Sequence, residues 1–212
     1  LLAMVDASTG GKTGVNFLGF KNCIGLFAKA EETFICPEFL DTLLYEERVN
    51  GYVEMLKHGL IADKEHYDIV KMLFLKENEK LSTSLIFDSI AIKQKHVDQD
   101  FKDEGIRKRL NFGHTIGHAI ESFCLSTSDQ DSLLHGEAIA AGLYLESYLS
   151  HLHTGLSKND FQEIKKWYRN LNRKLSFSDS DIKKMLGLMT HDKKNVNGEI
   201  RFVLLTSIGR FK

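Results

Sequence analysis

The chain is poor in the residues that staple, punctuate or anchor a fold. Of its 212 residues, three are cysteine (Cys23, Cys36 and Cys124) and one is proline, Pro37. The cysteines have no Cys-x-x-Cys spacing, so neither a disulfide framework nor a thiolate zinc knuckle is expected, and a reducing cytoplasm fits. No apolar run approaches the ~20 residues of a membrane span, and no basic, apolar, small-residue leader opens the chain. Charge of one sign is also missing, since 28 Lys and Arg face 29 Asp and Glu for a formal charge of -1. With no basic excess, neither nucleic acid nor a membrane is expected as a partner, and local clusters must attract any anionic ligand. What is there is 42% hydrophobic content, enough at this length for a real core in one large or two small domains. The opening Leu1-Leu2-Ala3-Met4-Val5-Asp6 reads as a buried element already under way, as though the chain began inside a larger protein.

Helical spacing dominates. Val49, Tyr52, Val53, Leu56 and Leu60 mark a helix over 45–61, and further helices are expected over 66–77, 84–97, 136–152, 160–171 and 178–189. Ser178 or Asp179 suits the N-cap of the last of these. Thr33-Phe34-Ile35-Cys36 reads as a short β run closed by Pro37, and a strand is expected near 200–206, after a turn at Asn197-Gly198. The expected fold is mainly α with short β elements. Lys93, Lys95 and His96 near the end of helix 84–97 have a plain explanation, because cations suit the C-terminal end of a helix dipole.

Three stretches carry chemistry. The glycine-rich Ser8-Thr9-Gly10-Gly11-Lys12-Thr13-Gly14, with Lys21 and Asn22 close behind, is expected to bind an anion. It is not a Walker loop, which needs glycine where Asp6 stands. Residues 107–121 place His114 and His118 four apart on one helical face, with Glu121 a turn further on. A zincin would need Glu directly after the first histidine, and Thr115 is there. Catalytic zinc takes three protein ligands from His and Glu or Asp, leaving one position open. Glu54, His114 and His135, the last within Leu134-His135-Gly136-Glu137, could supply them. The bland alternatives are two hydrogen-bonded helical histidines and, for Glu54 with Lys57, a surface ion pair worth a few tenths of a kcal/mol. Spacing alone leaves both readings open.

Taken together, Leu1 to Gly14, Lys21-Asn22-Cys23-Ile24-Gly25, Glu54-Met55-Leu56-Lys57, Arg107 to Glu121, Leu134 to Glu137 and Asp192-Lys193-Lys194-Asn195 form a collinear series along nearly the full length. In these motifs the chain resembles the C-terminal two thirds of the 3-dehydroquinate synthase family, within the sugar-phosphate cyclases. The resemblance implies the multihelical C-terminal domain of that fold over 43–212, with 1–42 a remnant and edge of an otherwise missing α/β NAD-binding domain. It implies zinc, or cobalt, on Glu54, His114 and His135. It further implies that Asp6, Lys12, Asn22, Lys57, Lys93, Arg107, Asn111 and Lys193 surround a sugar-phosphate substrate, and that Lys21 and Phe39-Leu40-Asp41-Thr42 touch NAD. Catalytic roles fall by resemblance to His118, which handles protons, and to Lys57, Lys93, Arg107 and Asn111. Asp103, with Glu104 beside it, stands where the family has a glutamate four residues before the arginine.

The implied protein is a cytoplasmic homodimer of the shikimate pathway, a phosphate-eliminating lyase. Without the adenosine and pyrophosphate site, the chain by itself is expected to be inactive. The rival readings are another cyclase of the 2-deoxy-scyllo-inosose synthase type, a metal-dependent polyol dehydrogenase of the same fold, and a non-catalytic helical interaction module.

Overall fold

The computed structural model describes residues 2–17, 20–76, 80–127, 133–171, 175–190 and 199–211, with the backbone alone at 16–17 and 20–23. The chain opens with a single helical turn, α1 (Met4–Ala7), and a hairpin of β1 (Val15–Phe17) and β2 (Phe20–Ile24). Then come α2 (Tyr45–Ala62), α3 (Lys64–Phe74), α4 (Thr83–Gln99), α5 (His114–Ser126), α6 (His135–His153), α7 (Lys158–Arg169) and α8 (Asp179–Thr190). A small hairpin of β3 (Leu205–Ser207) and β4 (Arg210–Phe211) follows. Short 3-10 helices at Pro37–Leu40 and Ile106–Asn111 lead towards α2 and α5. The architecture is mainly α, as expected.

The middle of the molecule is α2, in which every residue from Gly51 to Ile61 is buried. A helix hidden on all sides needs neighbours all round, and α1, α3, α4 and α6 provide them. Gly59 lets α3 approach, since a Cβ there would lie 2.6 Å from the Tyr67 backbone. Tyr52, Phe74 and Trp167 meet edge to face at 6.0 and 5.9 Å, tying α2, α3 and α7 together. Each such buried apolar side chain contributes roughly 1.5–3 kcal/mol. A second apolar cluster joins α5, α6 and α8 through Phe123, Cys124, Ala138, Met185 and Met189.

Caps fix the helix starts. Asp63 accepts from the His66 amide at 3.1 Å, so α3 begins two residues before the expected 66. Of the two residues suited to cap α8, Ser178 does so: its Oγ accepts from the Asp181 amide at 3.3 Å, and Asp181 accepts from the Ser178 amide at 3.0 Å.

Three expectations are corrected. Residues 33–36 form no strand, because among the described residues no strand takes up their amides and carbonyls, and Pro37 turns the chain into a 3-10 helix. The terminal β element is shorter and later than 200–206, pairing Leu205 with Phe211 and Ser207 with Arg210 around Gly209, whose φ is 81°. Lys93 does not sit at a helix end to answer the dipole. It is buried in the body of α4 and turned towards α1. The β1–β2 hairpin was not foreseen in the glycine-rich opening.

Candidate metal and substrate site

The site has two halves that meet at Glu54. In the first, α2 presents Glu54, Lys57 and His58 on one face, as spacings of three and four residues require. Asp6 enters from α1, and Lys93 and Ser89 from α4. Lys57 Nζ lies 2.6 Å from Glu54 Oε2 and 3.2 Å from Asp6 Oδ1. Lys93 Nζ donates to the Asp6 carbonyl and lies 3.3 Å from its Oδ2. His58, fully buried, bridges Asp6 Oδ1 at 3.2 Å and Ser89 Oγ at 2.8 Å.

Burial alone would raise the carboxyl pKa values, but Lys57, the His58 bond and Lys93 together hold Asp6 well below the usual range. Glu54 is likewise held low against its burial, chiefly by Lys57. For Lys57 the two carboxylates overcome burial and raise its pKa, whereas for Lys93 and His58 burial prevails and lowers it. This is a pre-assembled network of compensated charges.

The second half is a ring of imidazoles. His114 and His118 lie one turn apart in α5, and His135 is the first residue of α6. Their ring centroids lie 5.1 to 6.0 Å apart, and one nitrogen of each falls within 4.8 Å of the other two. Glu54 Oε1 lies 3.7 Å from His114 Nε2 and 3.5 Å from His135 Nε2. These contacts are longer than hydrogen bonds. They match the spacing of donors around a tetrahedral zinc, where ligand atoms at 2.0–2.1 Å from the ion lie about 3.4 Å apart.

The remaining ring nitrogens are held from behind, His114 Nδ1 by the Phe112 carbonyl at 3.1 Å and His135 Nδ1 by Glu121 at 3.2 Å. That arrangement turns Nε2 towards Glu54 and is the usual support of metal-binding histidines. Burial disfavours charge on His135, yet Glu121 and Glu54 push its pKa up to about 9. The donor set, two imidazoles and a carboxylate with His118 adjacent, fits a zinc or cobalt ion.

Other expected residues lie further out. Arg107 is buried and donates to the Phe101 carbonyl at 2.6 Å and the Gly10 carbonyl at 2.8 Å, tying the glycine-rich loop to the approach to α5. Lys12 pairs with Asp103, which takes the left-handed conformation at φ 58°. The loop borders a cleft of about 400 Å³ whose lining includes Ser8, Gly11, Lys12, Lys29 and Gln94. Asn111 ends the 3-10 helix before α5, half-buried. Phe39, Asp41 and Thr42 are exposed and Leu40 is buried, all ahead of α2, with Asp41 paired to Lys80 at 3.1 Å. For Lys21 and Asn22 only the backbone, in β2, is described, and Lys193 lies outside the described residues. His58 was missed, although it follows Lys57 directly and stands four residues after Glu54. Glu121 was noticed only for its position on the helix face.

Solved structures share this fold. A 2-epi-5-epi-valiolone synthase from Streptomyces hygroscopicus, solved with NAD+ and Zn2+ bound, superposes with a TM-score of 0.83 at 24% identity, covering 100% of this chain and 59% of that one. A 2-deoxy-scyllo-inosose synthase, solved with carbaglucose-6-phosphate, NAD+ and Co2+, gives 0.77 at 21% identity, with the same coverage of 100% and 59%. The chain therefore shares the fold of these two synthases.

The chain belongs to the 3-dehydroquinate synthase family, whose C-terminal model matches residues 51–195 and whose N-terminal model matches residues 1–50. A 3-dehydroquinate synthase from Parabacteroides distasonis is 44% identical over 210 residues, covering 99% of this chain and 59% of the relative. One from Clostridium tetani is 36% identical over 211 residues, covering 98% and 55%. The chain thus spans between half and three fifths of the length of these curated relatives.

Proposed function

We propose that this chain is the metal- and substrate-binding part of a 3-dehydroquinate synthase, which converts 3-deoxy-D-arabino-heptulosonate 7-phosphate to 3-dehydroquinate and phosphate in the shikimate pathway. The observation that carries this reading is the placement of Glu54 Oε1 at 3.7 and 3.5 Å from two oriented imidazole nitrogens, with Lys57 and Lys93 gathered on Asp6 beside it. Glu54, His114 and His135 are the ligands of a zinc ion, for which cobalt can substitute. When bound, the metal supplies a Lewis acid and NAD+ a hydride acceptor that is regenerated in each turnover.

The chain's own groups hold the substrate. Its carboxylate and phosphate call for cations, and Lys12, Lys57, Lys93, Arg107 and Lys193, with Asn22 and Asn111, are assigned to them. Asp6 orients Lys57 and Lys93 and accepts from a substrate hydroxyl. Burial lowers the Lys93 pKa, which eases proton exchange at its Nζ. His118, with its ring centroid 5.1 Å from that of His114, would move a proton at a substrate oxygen. Asp103, within reach of Lys12, takes the acidic role ahead of Arg107.

Lys21 and Phe39-Leu40-Asp41-Thr42 are assigned to NAD, with residues 1–42 as an edge of the NAD-binding domain and 43–212 as the helical domain. The protein works as a homodimer in the cytoplasm. Among the described residues, no helix is long and apolar enough to cross a membrane.

The test is an assay of the intact gene product with NAD+, zinc and the heptulosonate phosphate. Equal yields of inorganic phosphate and 3-dehydroquinate, with no net NADH, are expected. Accumulating NADH without phosphate release would instead indicate a polyol dehydrogenase, and a different carbocycle would indicate another cyclase.

A further inference from the structure

Glu146 is a fully buried residue of α6 to which the proposed chemistry gives no part. It lies one turn after Gly142, on the face that meets the start of α5. The helices cross closely there because both sides are glycine: a Cβ on Gly142 would lie 1.9 Å from the Gly113 carbonyl oxygen. Gly113 is the N-cap of α5, at φ 78°, and has no side-chain oxygen to offer the helix. The first amides of a helix find no partner within it. Glu146 satisfies two of them from the neighbouring helix, its Oε2 accepting from the Gly113 amide at 2.7 Å and its Oε1 from the Ile116 amide at 3.1 Å. These are the N-cap and N3 amides that a capping box serves from within its own helix.

We propose that Glu146 is a positioning residue of the metal site, bracing the first turn of α5 so that His114 Nε2 is held at metal-ligand spacing from Glu54. This rests on the metal-binding reading of Glu54, His114 and His135. His114 lies between the two braced amides, and its Nδ1 is bonded to Phe112 in the same turn. The helix that supplies the brace also begins with His135, so movement of α6 against α5 changes the spacing of two ligands together. Asn50 of α2 anchors the other end, accepting from the Gly136 amide at 2.6 Å, one residue after His135.

The test compares Glu146→Gln with the wild-type intact gene product. A glutamine side chain has one acceptor oxygen and turns its NH2 towards one of the two donors, so one amide loses its partner. Ser147→Ala is the control, since Ser147 is equally buried and its Oγ makes no hydrogen bond among the described residues. Zinc affinity is measured by chelator competition, and ligand geometry by the visible spectrum of the cobalt-loaded protein. The expected result is zinc binding weakened about 10-fold or more, with shifted cobalt bands, in Glu146→Gln alone. Wild-type affinity and spectrum in that variant would overturn the brace and leave the metal site standing, whereas no zinc affinity in the wild type would overturn both.

If Glu146→Gln does not fold, amide exchange in the wild type decides the matter. Protection of the Gly113 and Ile116 amides comparable to the interior of α5 supports the brace. Exchange at the rate of an open helix end overturns it.

Discussion

The two halves of the site handle buried polarity in opposite ways. Around Asp6, three helices bring acids and bases together at 2.6 to 3.3 Å, and each charge answers another. Around His114 and His135, the groups are tied from behind by Phe112 and Glu121, and their front nitrogens stand 3.5 to 3.7 Å from Glu54, too far for hydrogen bonds. The first half is a salt network that the protein completes for itself. The second is a set of donors that face one another across gaps too long for hydrogen bonds, which the proposed metal ion would fill. Glu54 belongs to both, with Oε2 on Lys57 and Oε1 facing the imidazoles.

The comparison breaks most visibly at Lys57. Removing one partner from a buried ion pair leaves charge uncompensated and typically costs 3–5 kcal/mol. Lys57→Met is therefore expected to lose about that much in denaturant unfolding, with part of it recovered by adding Asp6→Asn. A loss below about 1 kcal/mol would mean that the first half is not the self-compensated network described.

A smaller effect separates the site from its scaffold. His66 is buried, its Nε2 has no hydrogen-bond partner among the described residues, and its pKa is lowered to about 4, by burial first and then by the neighbouring His58. A histidine held neutral in the fold stabilises it above the unfolded pKa near 6.5, and that contribution is lost as pH falls from there towards 4. The carboxylates Asp6 and Glu54, also lowered, lose theirs only at more acid pH. His66→Gln should lose less stability than the wild type between pH 7 and 5, by about 1–2 kcal/mol after allowance for solvent screening. Identical pH profiles would remove His66 as the source of the acid limb.

Much of the helical framework was legible because it rests on local rules. Apolar spacing marked α2, and Ser178, one of two candidate caps, marked the start of α8, whereas the Asp63 cap of α3 was not read. The i, i+4 pair His114 and His118 does share a face, with Glu121 a turn further on. The strands were read less well. Residues 33–36 have β-prone side chains, but a strand exists only where another strand pairs with it, and that is a tertiary fact. From its neighbours alone Lys93 reads as a cation answering a helix dipole, because nothing near it in sequence reports that Asp6, 87 positions earlier, lies against it. His58 and Glu146 were invisible for the same reason. Each acts across a helix crossing, and the crossings are set by glycines such as Gly142, whose need appears only when the helices are seen in contact.

The central claim is that Glu54, His114 and His135 form one metal site. Its most direct test is zinc content after exhaustive dialysis of the intact gene product, wild type beside Glu54→Gln, His114→Ala and His135→Ala. The account predicts about one zinc per chain in the wild type and its loss in all three folded variants. Zinc retained by the variants, or absent from a folded wild-type protein, would contradict it.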